Sequence, residues 1–482
     1  MTGALYYGYI QYFIAALELG VPTLLLLTNR RSSLVVWISL ICCVDVFNAK
    51  LAVNIPAGPI AGLILLPVTS RWLVATFKTG TGRALLLQCA YLLLLGVILG
   101  YLVPWSSHGV RRAFNETAQG RATLSIIRLV GDISLVIYVA DYVRGRVEMS
   151  RLLHWVFVGT TFASAAGLLG YLTSTDLYTT LTGVKSQQVM YRLHGLNYEP
   201  RGLGLIAAYG TVVCVAMLAQ RFTVTVVFAL LVDAAALFTA VSISAVGAAA
   251  VGLLALAIFQ RGARVPLILA AVGCLSAVVA IGSAQPHWAE QWTEHFAGHE
   301  VGEVNQSGSD DRFTRVAVRA GAFDAPALLF LRDHPGYALV GTGPELIVVP
   351  DTEEAAKLPL YHWLWEQDSS QGIVVPPTIG VLYQIANGGA IGLGLIIFIV
   401  AFGWRSLLAL ATDDSVWGAA AGVFIASFFI YSVQVSTVSA IPYLMLAPGI
   451  AADRIVNCRT ARRQASPSGY TVPVVALRSV LG

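Results

Sequence analysis

Charge is what this chain has least of. Only 12% of its 482 residues are Asp, Glu, Lys or Arg, 57% are hydrophobic, and the mean hydropathy is +0.73. Soluble domains carry about 25% charged residues, so a soluble fold is excluded over most of the length. Cysteine is scarce too: Cys42, Cys43, Cys89, Cys214, Cys274 and Cys458 lie in apolar segments or in the basic tail. Their spacing forms neither a disulfide framework nor a metal cluster. The N-terminus lacks a basic leader and an evident cleavage site, so the first apolar stretch reads as a retained helix. No internal repeat is visible, which argues against inverted-repeat transporters. The net charge of +4 is spread over loops and gives no reason to expect a nucleic-acid partner.

What is present is apolar length. Candidate spans lie near 7–28, 33–49, 53–70, 84–103, 122–143, 152–173, 201–220, 222–241, 244–260, 265–283, 378–403, 415–432 and 434–450. Stretches of this length match the hydrocarbon core of a bilayer. The pairs 33–70, 222–260 and 415–450 each admit a second reading. The expected fold class is therefore an all-α polytopic membrane protein with about 12–13 transmembrane helices.

Lys and Arg sort into alternate loops: Arg30/Arg31, Arg71/Lys78/Arg83, Arg144/Arg146/Arg151, Arg221, Arg261/Arg264, Arg405 and the tail. The positive-inside rule makes that side cytoplasmic. The outer side then receives 104–121, 174–200 and 284–377. The chain thus divides into ten helices over 1–283 with a functional outer loop near 185–204, a large outer loop or cap over 284–377, the last helices over 378–450, and a basic cytoplasmic tail over 451–482. The large loop is far longer than an ordinary connection. It holds Trp288, Trp292, Trp363 and Trp365, four of the ten tryptophans, which suits folding against the membrane surface.

Ionisable residues inside the apolar spans are few: Asp45, Arg128, Asp132, Asp141 and Asp233. Each costs about 2.5–3.5 kcal/mol at a helix centre, so each should face protein or water. Arg128 and Asp132 stand four apart, which fits a structural ion pair or one element of a proton relay.

Polar chemistry concentrates in two outer stretches. "YRLHGLNYEPRGLG" (191–204) puts Arg192, His194, Glu199 and Arg201 where a long apolar helix begins. Pro200 suits the first turn of that helix, and a helix N-terminus presents free N–H groups to an anion. Two guanidinium groups there fit a phosphate or pyrophosphate, or else a basic anchor among lipid headgroups. The second stretch, 310–345, carries Arg312, Arg315 and Arg319 at helical spacing, then breaks at "RDHPGYALVGTG". That stripe fits a binding face or a solvated basic face.

In order and topology these parts resemble the O-antigen polymerase and O-antigen ligase superfamily of bacterial envelope glycosyltransferases. The matching pieces are Arg192, Gly195 and the Pro200-led helix; "SISAVG" at 242–247; Arg319 and Phe323 followed by "DHPGYALVGTG"; and "GGAIGLG" at 388–394. The resemblance covers about residues 185–405.

The resemblance implies a GT-C-like membrane enzyme of the bacterial inner membrane, with a large, partly helical periplasmic loop. Such an enzyme transfers a glycan from an undecaprenyl-pyrophosphate donor to a sugar hydroxyl, without metal or cofactor. Its implied partners are the lipid-linked donor, the glycan acceptor and the bilayer, with a chain-length regulator protein as a further candidate. Arg192 and Arg319 match the family's two functional arginines; Arg201, Arg312 and Arg315, with Tyr198 and Trp363, are the expected pyrophosphate- and glycan-binding residues.

Ligases of the family carry a histidine at a place matching roughly Thr378, where this chain reads "VVPPTIGVLYQ". The acceptor-activating base is then open among Glu199, His194, His362, Glu366 and Asp368. The missing histidine favours a polymerase over a ligase onto lipid A core. A flippase of lipid-linked glycans is the alternative of another class, but it should hold its polar groups at mid-membrane.

Overall fold

A computed structural model describes residues 2–44, 57–103, 117–182, 195–196, 200–240, 242–260, 265–268, 271–272, 276, 324–344, 346, 380–412, 414–433 and 444–465. Among them every regular element is a helix. In chain order these are α1 (Thr2–Leu27), α2 (Arg31–Ile41), α3 (Ala57–Thr69), α4 (Leu73–Phe77), α5 (Gly80–Tyr101), α6 (Ala118–Tyr142), α7 (Arg146–Leu172) and α8 (Leu177–Thr182). They continue as α9 (Pro200–Gln220), α10 (Val224–Thr239), α11 (Ile243–Phe259), α12 (Ala325–Asp333), α13 (Pro335–Val340), α14 (Gly380–Ala411), α15 (Ser415–Val433) and α16 (Ala447–Ala465).

Six helices are long and apolar enough to cross a membrane, counting the run Gly58–Phe77 as one. Shorter apolar helices include α2, α10 and α11, of 11, 16 and 17 residues. At 1.5 Å per residue the shorter ones fall below the thickness of a hydrocarbon core. The described helices make an all-α, multi-pass membrane protein. The segments at 265–283 and 434–450 fall largely outside the described residues.

Each boundary has a local cause. α5 and α6 start where Thr79 and Thr117 accept hydrogen bonds from Gly82 and Gly120 N–H, both at 3.0 Å. Such caps contribute about 1 kcal/mol each. α9 begins at Pro200, where a missing N–H costs nothing.

Packing separates helices by which solvent they meet. α9 is apolar all round and buried over nearly its full length, with Leu203, Ile206, Tyr209, Val213 and Cys214 at 1% exposure or less. It is the central helix, contacted by α7, α10, α11 and α15. By contrast Leu94, Phe162, Leu169, Phe228, Leu254 and Phe398 are more than half exposed on the outside of the bundle. Large apolar side chains left uncovered in such number are stable where the surrounding medium is lipid.

One end of the bundle is held by ions. Asp141, at the end of α6, meets Arg454 of α16 at 3.2 Å, Arg144 at 3.5 Å and Arg31 of α2 at 3.6 Å. Arg31 also lies over the Trp72 ring at 5.3 Å. Next door, Asp453 accepts from Thr81 N–H at 2.9 Å at the start of α5, and Arg146 pairs with Asp414 at 3.3 Å. Asp141 thus works at a helix end, where three cations compensate it, rather than at mid-span. The expected basic tail starts inside a helix, since α16 runs continuously through residue 450.

Asp233 meets the expectation that a charge-bearing side chain in a span faces protein. It is fully buried on α10; Thr161 donates to it at 3.1 Å and the Cys214 thiol lies at 3.6 Å. Asp132 is buried on α6, one turn from Arg128. Asp45 lies outside the described residues.

Candidate functional site

The end of the bundle away from Asp141 is where the sequence motifs meet. α5 and α7 both start at the ionic end, so their last turns mark the opposite one. Gly195 stands there in left-handed backbone (φ 56°), and a Cβ on it would come within 2.5 Å of the Gly167 backbone on α7. That approach anchors the chain just before α9. Four residues into α9, Gly204 faces Ser242, Ala240 and Ala245, so the turn from α10 into the first turn of α11, where "SISAVG" begins, packs on the first turns of α9. The Ser242 and Ser244 hydroxyls are 3.2 Å apart in this turn.

The most tightly built feature joins the other two motifs. α14 is broken at Gly389, whose φ of 61° and ψ of −167° lie in a region open only to glycine. A break of this kind deprives the preceding carbonyls of their helical donors. Here the carbonyls of Ala386 and Asn387 accept instead from the N–H groups of Thr342 and Gly343, at 2.7 and 2.9 Å. The Thr342 hydroxyl adds a third bond to Ala386 O at 3.0 Å.

Gly341, with φ 91° and ψ 167°, sits in the same glycine-only region. A Cβ there would overlap the Asn387 carbonyl, and one at Gly389 would overlap that of Leu339. Thus the turn of "DHPGYALVGTG" and the break of "GGAIGLG" interlock backbone to backbone. From α5, Tyr91 closes the joint by donating to Val340 O at 2.5 Å. Pro344 packs against Gly96, and Leu346 is fully buried beside it.

α12 and α13 fix the approach to this joint. Pro at the start of each sets the first turn. Phe330 and Tyr337 stack at 5.4 Å, with the His334 ring 4.8 Å from Phe330. Ala327 and Phe330 bury against Leu382 and Ala386 of α14. His334 itself is exposed, and Arg332 pairs with Asp333 at 2.6 Å.

Of the residues expected to act on the substrate, the helix position of Arg201, in the first turn of α9, is described. Arg192, His194, Tyr198, Glu199, Arg312, Arg315, Arg319, His362 and Trp363 lie outside the described residues, as do Glu366 and Asp368. Among the described residues no three of His, Cys, Asp or Glu come together as a cation set.

Sequence reasoning passed over Gln384 and Asn387, both buried polar groups on the face of α14 before the break. Their signal was present: two amides three apart in the otherwise apolar run "VLYQIANGG". Thr342 and Tyr91, which hold the joint, carry no such signal, because a hydroxyl in a span usually bonds within its own helix. Comparison with known protein families and with curated proteins finds no match to this chain.

Proposed function

We propose that this chain is a membrane glycosyltransferase. It moves a glycan from an undecaprenyl-pyrophosphate-linked donor to a sugar hydroxyl of an acceptor repeat unit, as a polysaccharide or O-antigen polymerase on the periplasmic face of the inner membrane. The observation that carries the reading is the interlock between Gly341 and Gly389. A solvated insertion needs no such joint, whereas a loop that takes part in chemistry needs its root held rigidly against the membrane helices.

In this reading a pyrophosphate leaves as the glycosidic bond breaks, and negative charge grows on its oxygens. Arg192 and Arg319 neutralise that charge by bidentate hydrogen bonds. Arg201, Arg312 and Arg315 hold the remaining phosphate oxygens and glycan, with Tyr198 and Trp363 against the sugars. One of Glu199, His194 or His362 takes the proton of the attacking hydroxyl.

The test is loss of the gene, with the surface glycan resolved on a gel. Loss of the chain-length ladder with single repeats still attached supports polymerase action. Polymer retained on its lipid carrier would indicate a ligase, and donor trapped on the cytoplasmic face a flippase.

A second expectation concerns cations. With arginines in the electrostatic role that Mg²⁺ fills elsewhere, turnover of a lipid-linked oligosaccharide by purified protein should be unchanged by EDTA. Activity that vanishes with chelator and returns with Mg²⁺ would end the arginine mechanism. It would redirect attention to Asp310, Asp311 and Glu199.

A further inference from the structure

The ionic end of the bundle holds a cleft that the proposed chemistry does not use. About 340 Å³ in volume, it opens between the start of α7, the end of α9, the start of α10 and the α15 residue Ala419. Its rim carries Arg151, His154 and Arg221; its floor is apolar, from Val213, Met217 and Val226. No Asp or Glu lines it. Elsewhere at this end Arg31, Arg144 and Arg454 are compensated by Asp141, and Arg146 by Asp414. Arg151 and Arg221 have no hydrogen-bond or ion-pair partner for their guanidinium groups among the described residues. Two uncompensated guanidinium groups over one cleft leave an anion-shaped demand.

The vertical order of the lining decides what kind of anion. Arg221 directly follows the last residue of α9, and Val213 lies eight residues earlier, about 12 Å deeper at 1.5 Å per residue. A free phosphate would satisfy the rim and leave the apolar floor facing water. An acyl chain attached to the phosphate fills both. Basic pockets between transmembrane helices on the cytoplasmic side are suited to such lipids.

We propose that this cleft binds an anionic phospholipid, its headgroup phosphate between Arg151 and Arg221 and one chain along Val213, Met217 and Val226. The site is independent of the glycan chemistry, because it lies at the opposite end of the bundle from the Gly341–Gly389 joint.

The experiment is native mass spectrometry of the purified full chain, titrated with phosphatidylglycerol, phosphatidylcholine or sodium phosphate. Wild type should retain phosphatidylglycerol in preference to phosphatidylcholine. Arg151→Gln/Arg221→Gln should weaken that retention roughly 25-fold, at about one surface charge interaction per arginine. Arg405→Gln, outside the cleft, should change nothing. Met217→Trp keeps both charges but fills the floor, and should also reduce retention.

Equal binding of the two lipids, or undiminished retention in the double variant, would overturn the proposal. So would displacement of the lipid by millimolar phosphate, which would mark a free-anion site, or unchanged retention in Met217→Trp. If the double variant is not monodisperse, Arg221→Gln alone gives the reading, since its guanidinium supports no other contact. The expected loss is then roughly five-fold.

Discussion

Replacing Arg192 or Arg319 by Ala is expected to lower turnover of a lipid-linked donor by about 10²–10³-fold, the usual consequence of losing one donor to developing negative charge. Lysine at either place should recover only part of the loss. It supplies the charge but not the planar pair of N–H groups that meets two phosphate oxygens at once. Arg332→Ala is the matched control. Arg332 belongs to the same stretch, yet it is spent on Asp333 at 2.6 Å on an exposed surface, where an ion pair contributes about 0–1 kcal/mol. Rates measured on purified protein, alongside melting curves, separate the outcomes. Full activity in a normally folded Arg192→Ala or Arg319→Ala protein would remove that residue from the site.

Gly389→Val should be the most damaging single change among the described residues. A branched side chain is barred from φ 61° and ψ −167°, and its Cβ would overlap the Leu339 carbonyl. The strain alone costs about 1–3 kcal/mol. Loss of the three bonds from Thr342 and Gly343 to Ala386 and Asn387 adds about 1 kcal/mol each. The expected sum is at least about 4 kcal/mol, read as a lower melting temperature in detergent and as faster proteolysis within 324–346. Gly341→Val should act alike, and the double variant should be little worse than either, since both break one joint. Gly394→Ala provides the contrast: it lies five residues further on in the same glycine-rich run, with no atom within 4 Å of an added Cβ. Unchanged melting and protease resistance in Gly389→Val would show that the break and the turn do not depend on one another.

The two glycines show where reading the chain one segment at a time reaches its limit. "GGAIGLG" reads as a run of small residues in a helix, and that much is right for Gly392 and Gly394. That Gly389 is instead a break depends on hydrogen bonds that each span 44 residues, Thr342 N–H to Ala386 O and Gly343 N–H to Asn387 O. Without those donors the freed carbonyls would sit unsatisfied at membrane depth, at a cost of several kcal/mol each. The Pro200 start of α9 was legible for the opposite reason. A ring that fixes φ and lacks an N–H acts on its own turn and needs no distant partner.

Asp141 makes the same division within one residue. Hydropathy places it in an apolar span and marks it as costly there. Its compensation comes from Arg31, Arg144 and Arg454, of which the sequence neighbourhood reveals only Arg144. The order of apolar and basic segments by itself determined that this is a multi-pass helical membrane protein and where its helices lie, because transfer of each side chain between water and lipid depends on that side chain alone. Which helix ends share an ion, which loop supplies the hydrogen bonds a broken helix lacks, and which guanidinium groups are left over to face a cleft were decided only by tertiary structure. Those are properties of pairs of groups, and the members of each pair are brought within 3–4 Å only when the helices pack.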